Sequence, residues 1–237
     1  DYIEIIVVDG KSKDDTRQIV QEYPVQLVDQ EGKGLNAARN TGIKHSSGEI
    51  LAYTDGDCVV PRDWAKKIVD NFEDPFIGFV GGTMEGYDQT SLLSNYMDES
   101  LFQSTPGFRI RIETTNLKLM QFPAGANMAF RRRALARVKF FDENITYGFD
   151  DLQPVEAMGF KGFRIVLDPE VNILHQHRST LPELLKQHFN YGRGGSLLII
   201  HKRASILASW YAAYLISTLA TLGILAFLLY IGFKINH

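Results

Sequence analysis

Leu51-Ala52-Tyr53-Thr54-Asp55-Gly56-Asp57-Cys58-Val59-Val60-Pro61 is the stretch around which the rest of the chain is arranged. The run from Glu49 to Thr54 that leads into it reads as a buried strand, and it ends in two carboxylates separated by one glycine. Gly56 has no Cβ, so a sharp turn there lets Asp55 and Asp57 converge at the C-terminal end of the strand. Two hard oxygen ligands so placed suit Mg²⁺ or Mn²⁺ and leave coordination positions open for substrate phosphates. An ordinary Asp-Gly turn uses the same residue types, so the neighbouring segments must decide between the two readings.

Upstream, Tyr2 to Val8 is short and β-branched and ends in Asp9-Gly10, which reads as a parallel-sheet strand carrying an aspartate at its end. A polar loop follows, with Asp14 or Asp15 placed to cap a helix from about Thr16 to Glu22. Val25 to Val28 is a second strand, and the loop Asp29 to Gly34, with Lys33 in it, precedes a helix over Leu35 to Lys44. Downstream of the central turn, Pro61 to Asn71 reads as a helix and Ile77 to Gly81 as a strand, with Gly82 marking a turn or a close backbone approach. Strands alternating with helices, with acids at strand ends, predict an α/β fold with a doubly wound, mostly parallel sheet.

The second half is less regular. Ser91 to Gln103 is expected to be helical, followed by a mobile segment up to Asn116. Phe122 to Phe130 is strand-like and leads into a basic helix, Arg131 to Val138. Asp142 to Asp151 reads as a loop ending in a second acidic pair, with Val155 to Met158 continuing as helix. Phe163 to Leu167 and the run from Ile173 to Arg178 read as two further strands. Leu181, Leu184, Leu185 and Phe189 lie at helical spacing, and Gly192-Arg193-Gly194-Gly195 is expected to break that helix.

Composition bounds the function. The 237 residues are 45% hydrophobic and 22% charged with a net charge of −3, which fits a folded α/β domain and gives no support for nucleic-acid binding. A single cysteine, Cys58, excludes an intrachain disulfide. Ile206 to Phe233 is 28 residues without one charge, longer than the ~20 needed to cross a bilayer. His201-Lys202-Arg203 just before it places that side in the cytoplasm by the positive-inside bias. The sequence therefore divides into a domain over 1–178, an amphipathic juxtamembrane segment over 179–205 and a transmembrane helix over 206–233. Its expected place is the cell membrane, with the folded domain cytoplasmic.

In order and spacing, Val7-Val8-Asp9 with Ser12 and Asp15-Thr16, Gly34 with Ala38-Arg39-Asn40-Thr41-Gly42, and Asp55-Gly56-Asp57 resemble the inverting family 2 glycosyltransferases of the GT-A fold. The resemblance covers about residues 3 to 178. It implies that Asp9 contacts the nucleotide base, that Lys33, Gly34, Arg39 and Asn40 line the nucleotide pocket, and that Asp55 and Asp57 hold the metal on the diphosphate of a nucleotide-sugar donor. An inverting displacement also needs a base opposite the leaving group. The resemblance places it in the acidic pair, with Asp151 favoured over Asp150, and Glu85 and Glu156 next in line. Gly82 and Asn127 resemble sugar-lining segments. His175 and His177 alternate on one strand face, so His175 could complete the metal shell while His177 and Arg178 reach the diphosphate. Family members begin with a strand ahead of the one carrying Asp9, and nothing here corresponds to it; the sequence is expected to lack its own N-terminus. The membrane segment points to a lipid-linked or envelope-associated glycan acceptor. A nucleotidyltransferase of similar sheet and a non-catalytic sugar-nucleotide-binding scaffold are the alternatives.

Overall fold

A computed structural model describes residues 3–88, 90–99, 108–117, 123, 125–145, 148–202 and 205–235. The start of the Tyr2 strand, the end of the helix expected to reach Gln103, Phe122, Thr146 and Arg203 lie outside the described residues.

The first strand, β1 (Ile6–Asp9), pairs in parallel with β2 (Gln26–Asp29), and between them runs α1 (Thr16–Gln21). Helix α2 (Leu35–His45) starts at Gly34, whose φ of 86° is open to glycine at little cost. It buries Asn36, Ala37, Arg39, Thr41 and Ile43 against the domain. The larger sheet is assembled from β3 (Ile50–Tyr53), β4 (Cys58–Val59), β5 (Ile77–Gly86), β6 (Ile112–Thr114), β7 (Met128–Arg131) and β8 (Arg164–His175), in the order β3-β7-β5-β8-β4 with β6 on β8. In it β5 and β8 run parallel, while β3 with β7, β5 with β7, β6 with β8 and β4 with β8 run antiparallel. The α/β class with a C-terminal apolar helix is the one expected, and its strand directions are mixed.

One face of this sheet packs Phe79, Phe130, Leu135, Ile145, Val155, Met158, Ile165 and Leu167 into the larger core. The helices supplying that face are α5 (Arg132–Arg137) and α6 (Leu152–Phe160). On the other face, Ile68 and Phe72 pack with Val80, Ala129, Val166 and Val171; Ile68 lies on α3 (Trp64–Asp70) and Phe72 just past it.

Three expectations are corrected. The segment before Asn116 carries strand β6, held by antiparallel pairing of Ile112 to Thr114 with Leu167 to Ile165. The two strands expected over 163–167 and 173–178 are one strand of 12 residues, β8. Its register against β5 jumps from Gly81↔Leu167 to Thr83↔Asn172, and this irregularity accommodates Pro169, which cannot donate to a ladder. Lastly, α7 (Leu181–His201) continues through Gly192, Gly194 and Gly195. Three glycines cost a helix roughly 1 kcal/mol each against alanine. Close packing offsets that cost: a Cβ on Gly195 would lie 2.3 Å from the Tyr211 ring, and the Tyr211 hydroxyl donates to the Gly192 carbonyl at 2.9 Å.

Tyr211 belongs to α8 (Ile206–Ile235). Among the described residues, Ile206–Leu228 is the one helix long and apolar enough to cross a membrane; Leu207 and Ala208 at its start are buried against the domain, and most of the helix beyond them is exposed. Its start is tied to the domain by Glu156 of α6. That carboxylate accepts from the Ser205 hydroxyl at 2.5 Å and from the amides of Ile206 and Leu207 at 2.6 and 3.2 Å. An acid capping a helix N-terminus answers its unpaired amides, so Glu156 is committed here and is no reserve base.

Candidate active site

The turn after β3 is closed by the Cys58 amide donating to the Asp55 carbonyl at 3.2 Å. Two-residue β4 then pairs Cys58 with His175 and Val59 with Leu174, and the Gln176 amide donates to the Asp57 carbonyl at 2.9 Å. This zipper brings residues far apart in sequence together. His175 Nε2 lies 3.5 Å from Asp57 Oδ1, and Arg178 Nη1 lies 3.9 Å from Asp57 Oδ2. Ligand atoms of Asp57, Cys58 and His175 all fall within 4.8 Å of one another.

The corner fits a divalent cation. It offers a carboxylate oxygen beside an imidazole that burial holds below its usual pKa and hence neutral. Burial raises the Cys58 thiol, so it stays protonated and a poor ligand. Asp55 keeps exposed surface but is crowded by protein on most sides. Its accessible surface decides that a ligand can reach it. Desolvation is the first cause that raises its carboxyl; Arg39 and His175 oppose this, and Asp57 and Asp150 add to it.

The second acidic pair is built by α2. Arg39 Nη1 donates to Asp150 Oδ2 at 2.5 Å and to Asn36 Oδ1 at 3.0 Å, with its guanidinium 5.3 Å from the Phe141 ring centroid. Asn36 Nδ2 donates to the Asp142 and Ile145 carbonyls at 2.8 and 3.1 Å, which moulds the loop leading to the pair. Asp151 caps α6, accepting from the Leu152 amide at 3.0 Å. Protein surrounds its carboxyl, though some surface stays accessible. Desolvation first and the neighbouring Asp150 charge second push Asp151 up to about 6, against the pull of Arg39. Gly125 permits this enclosure, because a Cβ there would stand 2.4 Å from Asp151 Oδ2. Arg39 acts on both Asp55 and Asp151, so one guanidinium connects the cation corner with the acidic pair.

The other predicted residues divide. Asp9 is buried, and hydrogen bonds from Ser12 and then Arg17 hold its carboxyl at about 2. Arg17 bridges it to Asp29, with both contacts at 2.6 Å. Lys33 is exposed at the entrance to α2, and Gly34 caps it. Arg39 is buried and engaged with Asp150 rather than open to a nucleotide. Asn40 is likewise engaged, donating to the Phe141 carbonyl and to Glu143 at 3.0 and 2.8 Å.

Gly82 and Asn127 do not line a sugar pocket. Asn127 is fully buried; its amide donates to the carbonyls of Thr83 and Val171 at 2.7 and 2.8 Å and accepts from Trp64 Nε1 at 2.9 Å. Its nitrogen lies 2.2 Å from where a Gly82 Cβ would be. Together they satisfy the carbonyls that the β5–β8 irregularity leaves unpaired. His177 is turned inward as well, onto His175 and Asp98. Sequence reasoning missed Asn36, Gly125 and Asp98. Asn36 had a signal, three residues before Arg39 on the same helix face; Asp98 had none.

The family model that matches the chain is that of glycosyl transferase family 2, over residues 1–139. Glycosyltransferase AglE of Haloferax volcanii is 39% identical over 88 residues, covering 35% of this chain and 29% of that protein. Poly-beta-1,6-N-acetyl-D-glucosamine synthase of Staphylococcus aureus is 25% identical over 203 residues, 83% of this chain and 48% of that protein. The chain thus spans less than half of either relative. Mannosyltransferase PcManGT from Pyrobaculum calidifontis, solved in complex with GDP-Man and Mn²⁺, superposes with a TM-score of 0.52 at 22% identity, over 93% of this chain and 71% of that one. That likeness is one of fold.

Proposed function

The chain belongs to glycosyl transferase family 2, and on that premise we propose that it moves a sugar, with inversion, from a nucleoside diphosphate-sugar to a hydroxyl of a lipid-linked or envelope-associated glycan. The observation that carries this reading is the buried Arg39–Asp150 ion pair, whose guanidinium charge also acts on Asp55 at the strand end and on Asp151. A divalent cation held by Asp57 and His175, with Asp55 beside it, would supply charge neutralisation for the departing diphosphate. The imidazole ligand favours Mn²⁺ over Mg²⁺. Arg178 adds a second positive charge on the same side of Asp57.

Asp151 accepts the proton of the acceptor hydroxyl as that oxygen bonds to the anomeric carbon and the sugar–phosphate bond breaks. With its pKa at about 6, the carboxylate is free at neutral pH yet basic enough to take a proton. Arg39 serves by neutralising Asp150; without it two adjacent buried carboxylates would share one proton. The apolar helix Ile206–Leu228 anchors the site at a membrane, where a lipid-linked acceptor is met.

Membranes carrying the full chain, given Mn²⁺ and a panel of radiolabelled nucleotide sugars, are expected to transfer label from one donor into lipid extract or membrane-bound glycan. Diphosphate release from a nucleoside triphosphate and a sugar phosphate would instead establish a nucleotidyltransferase. Nucleotide-sugar binding with no transfer to membrane material would leave the scaffold reading standing.

A further inference from the structure

Helix α4 (Leu92–Glu99) lies against the end of β5, and its Asp98 reaches the cation corner through other side chains. Asp98 accepts from the Gly86 amide through both oxygens, at 3.1 and 3.0 Å, and Oδ1 lies 2.8 Å from His177 Nε2. His177 Nδ1 in turn lies 2.9 Å from His175 Nδ1. Gly86 sits opposite His175 in the β5–β8 register, and a Cβ there would stand 2.8 Å from Asp98 Oδ2 and 3.0 Å from His177 Cδ2. The glycine is what lets the helix close over the two rings.

We propose that Asp98 and His177 are positioning residues that set the tautomer of His175, so that its Nε2 faces Asp57 as a bare ligand atom for a divalent cation. The proposal rests on the metal-assisted reading above. An ionised carboxylate only accepts, so His177 Nε2 carries a hydrogen toward Asp98. In a neutral ring His177 Nδ1 then holds a lone pair, and the hydrogen between the rings belongs to His175 Nδ1. That leaves His175 Nε2 unprotonated, 3.5 Å from Asp57 Oδ1. This separation is too long for an N–H···O bond, as it should be for two acceptors facing one another. It is near the spacing of two neighbouring ligands of one ion, which lie ~3 Å apart when each is ~2.1 Å from it. Ligating histidines are commonly oriented in this way by a carboxylate acting from behind, and losing the partner costs 10–100-fold in metal affinity.

The test is ring-nitrogen NMR on the full chain in detergent micelles, labelled with ¹⁵N-histidine and free of metal, together with Mn²⁺ titration followed by electron paramagnetic resonance. The wild-type His175 is expected to carry its hydrogen on Nδ1 alone. In Asp98→Leu and His177→Phe that tautomer is expected to mix, with Mn²⁺ affinity falling ~10–100-fold; Asp98→Glu should recover most of both. An Nε2–H on His175 in the wild type overturns the relay without any variant. Unchanged Mn²⁺ affinity in both Asp98→Leu and His177→Phe overturns it too, while Mn²⁺ binding that still depends on Asp57 leaves the metal-assisted reading intact. Absence of Mn²⁺ binding by the wild type overturns that reading and the ligand role of His175 together.

Discussion

Asp151→Asn is expected to lower turnover by ~10²–10⁴ while donor affinity stays near wild type, the range a positioned general base contributes. The amide keeps the shape of the carboxyl and can still accept from the Leu152 amide, so the start of α6 is preserved. Stability separates loss of chemistry from loss of fold. The folded-state pKa of Asp151 is raised from 3.8 to about 6. A raised carboxyl stabilises the fold fully below its unfolded value, and that share is lost as pH rises through the folded value. At neutral pH the charged carboxylate is therefore a burden, and Asp151→Asn should match or exceed the wild-type melting temperature there. The wild-type rate should rise with pH through an apparent value near 6 that belongs to the acidic pair, and this limb should vanish in Asp151→Asn. Asp150→Asn is the contrasting case. It leaves the buried Arg39 without its carboxylate and should unfold at lower temperature, since breaking a buried pair costs about 3–5 kcal/mol. A fully active Asp151→Asn would place the base elsewhere.

Asp57→Ala is expected to abolish the Mn²⁺-dependent part of nucleoside diphosphate affinity, measured by calorimetry with and without the ion. Its side chain makes the contacts to His175 and Arg178, whereas the zipper of β4 onto β8 uses the Asp57 carbonyl, which the substitution leaves in place. The circular dichroism spectrum and melting temperature should accordingly change little. Metal-dependent affinity equal to wild type would remove Asp57 from the cation site.

The elements that were legible in the sequence are those whose cause is local. The Asp55-Gly56-Asp57 turn, α2 with its glycine start, and the charge-free helix are written in residue type and spacing. What escaped depends on partners distant in sequence. Gly192 and Gly195 read as part of a helix break because Tyr211, which packs against them, lies on another helix. Asp168-Pro169-Glu170 read as a gap between strands because the register jump that admits it is imposed by β5. Asn127 read as a pocket residue, since nothing in its neighbourhood shows that Trp64 and two distant carbonyls use up its amide. The pairing of Arg39 with Asp150 was hidden for the same reason, because the two lie 111 residues apart. The acidic pair was visible as a motif, but the raised carboxyl of Asp151 comes first from burial, and only folding supplies that.

The central claim is a single displacement in which Asp151 takes the acceptor proton as the diphosphate departs. It is tested most directly by the anomeric configuration of the newly formed glycosidic bond, read by proton NMR on product made with the active donor. The account predicts the configuration opposite to that of the sugar in the donor. Retention of the donor configuration would contradict it, because a single displacement at the anomeric carbon inverts it.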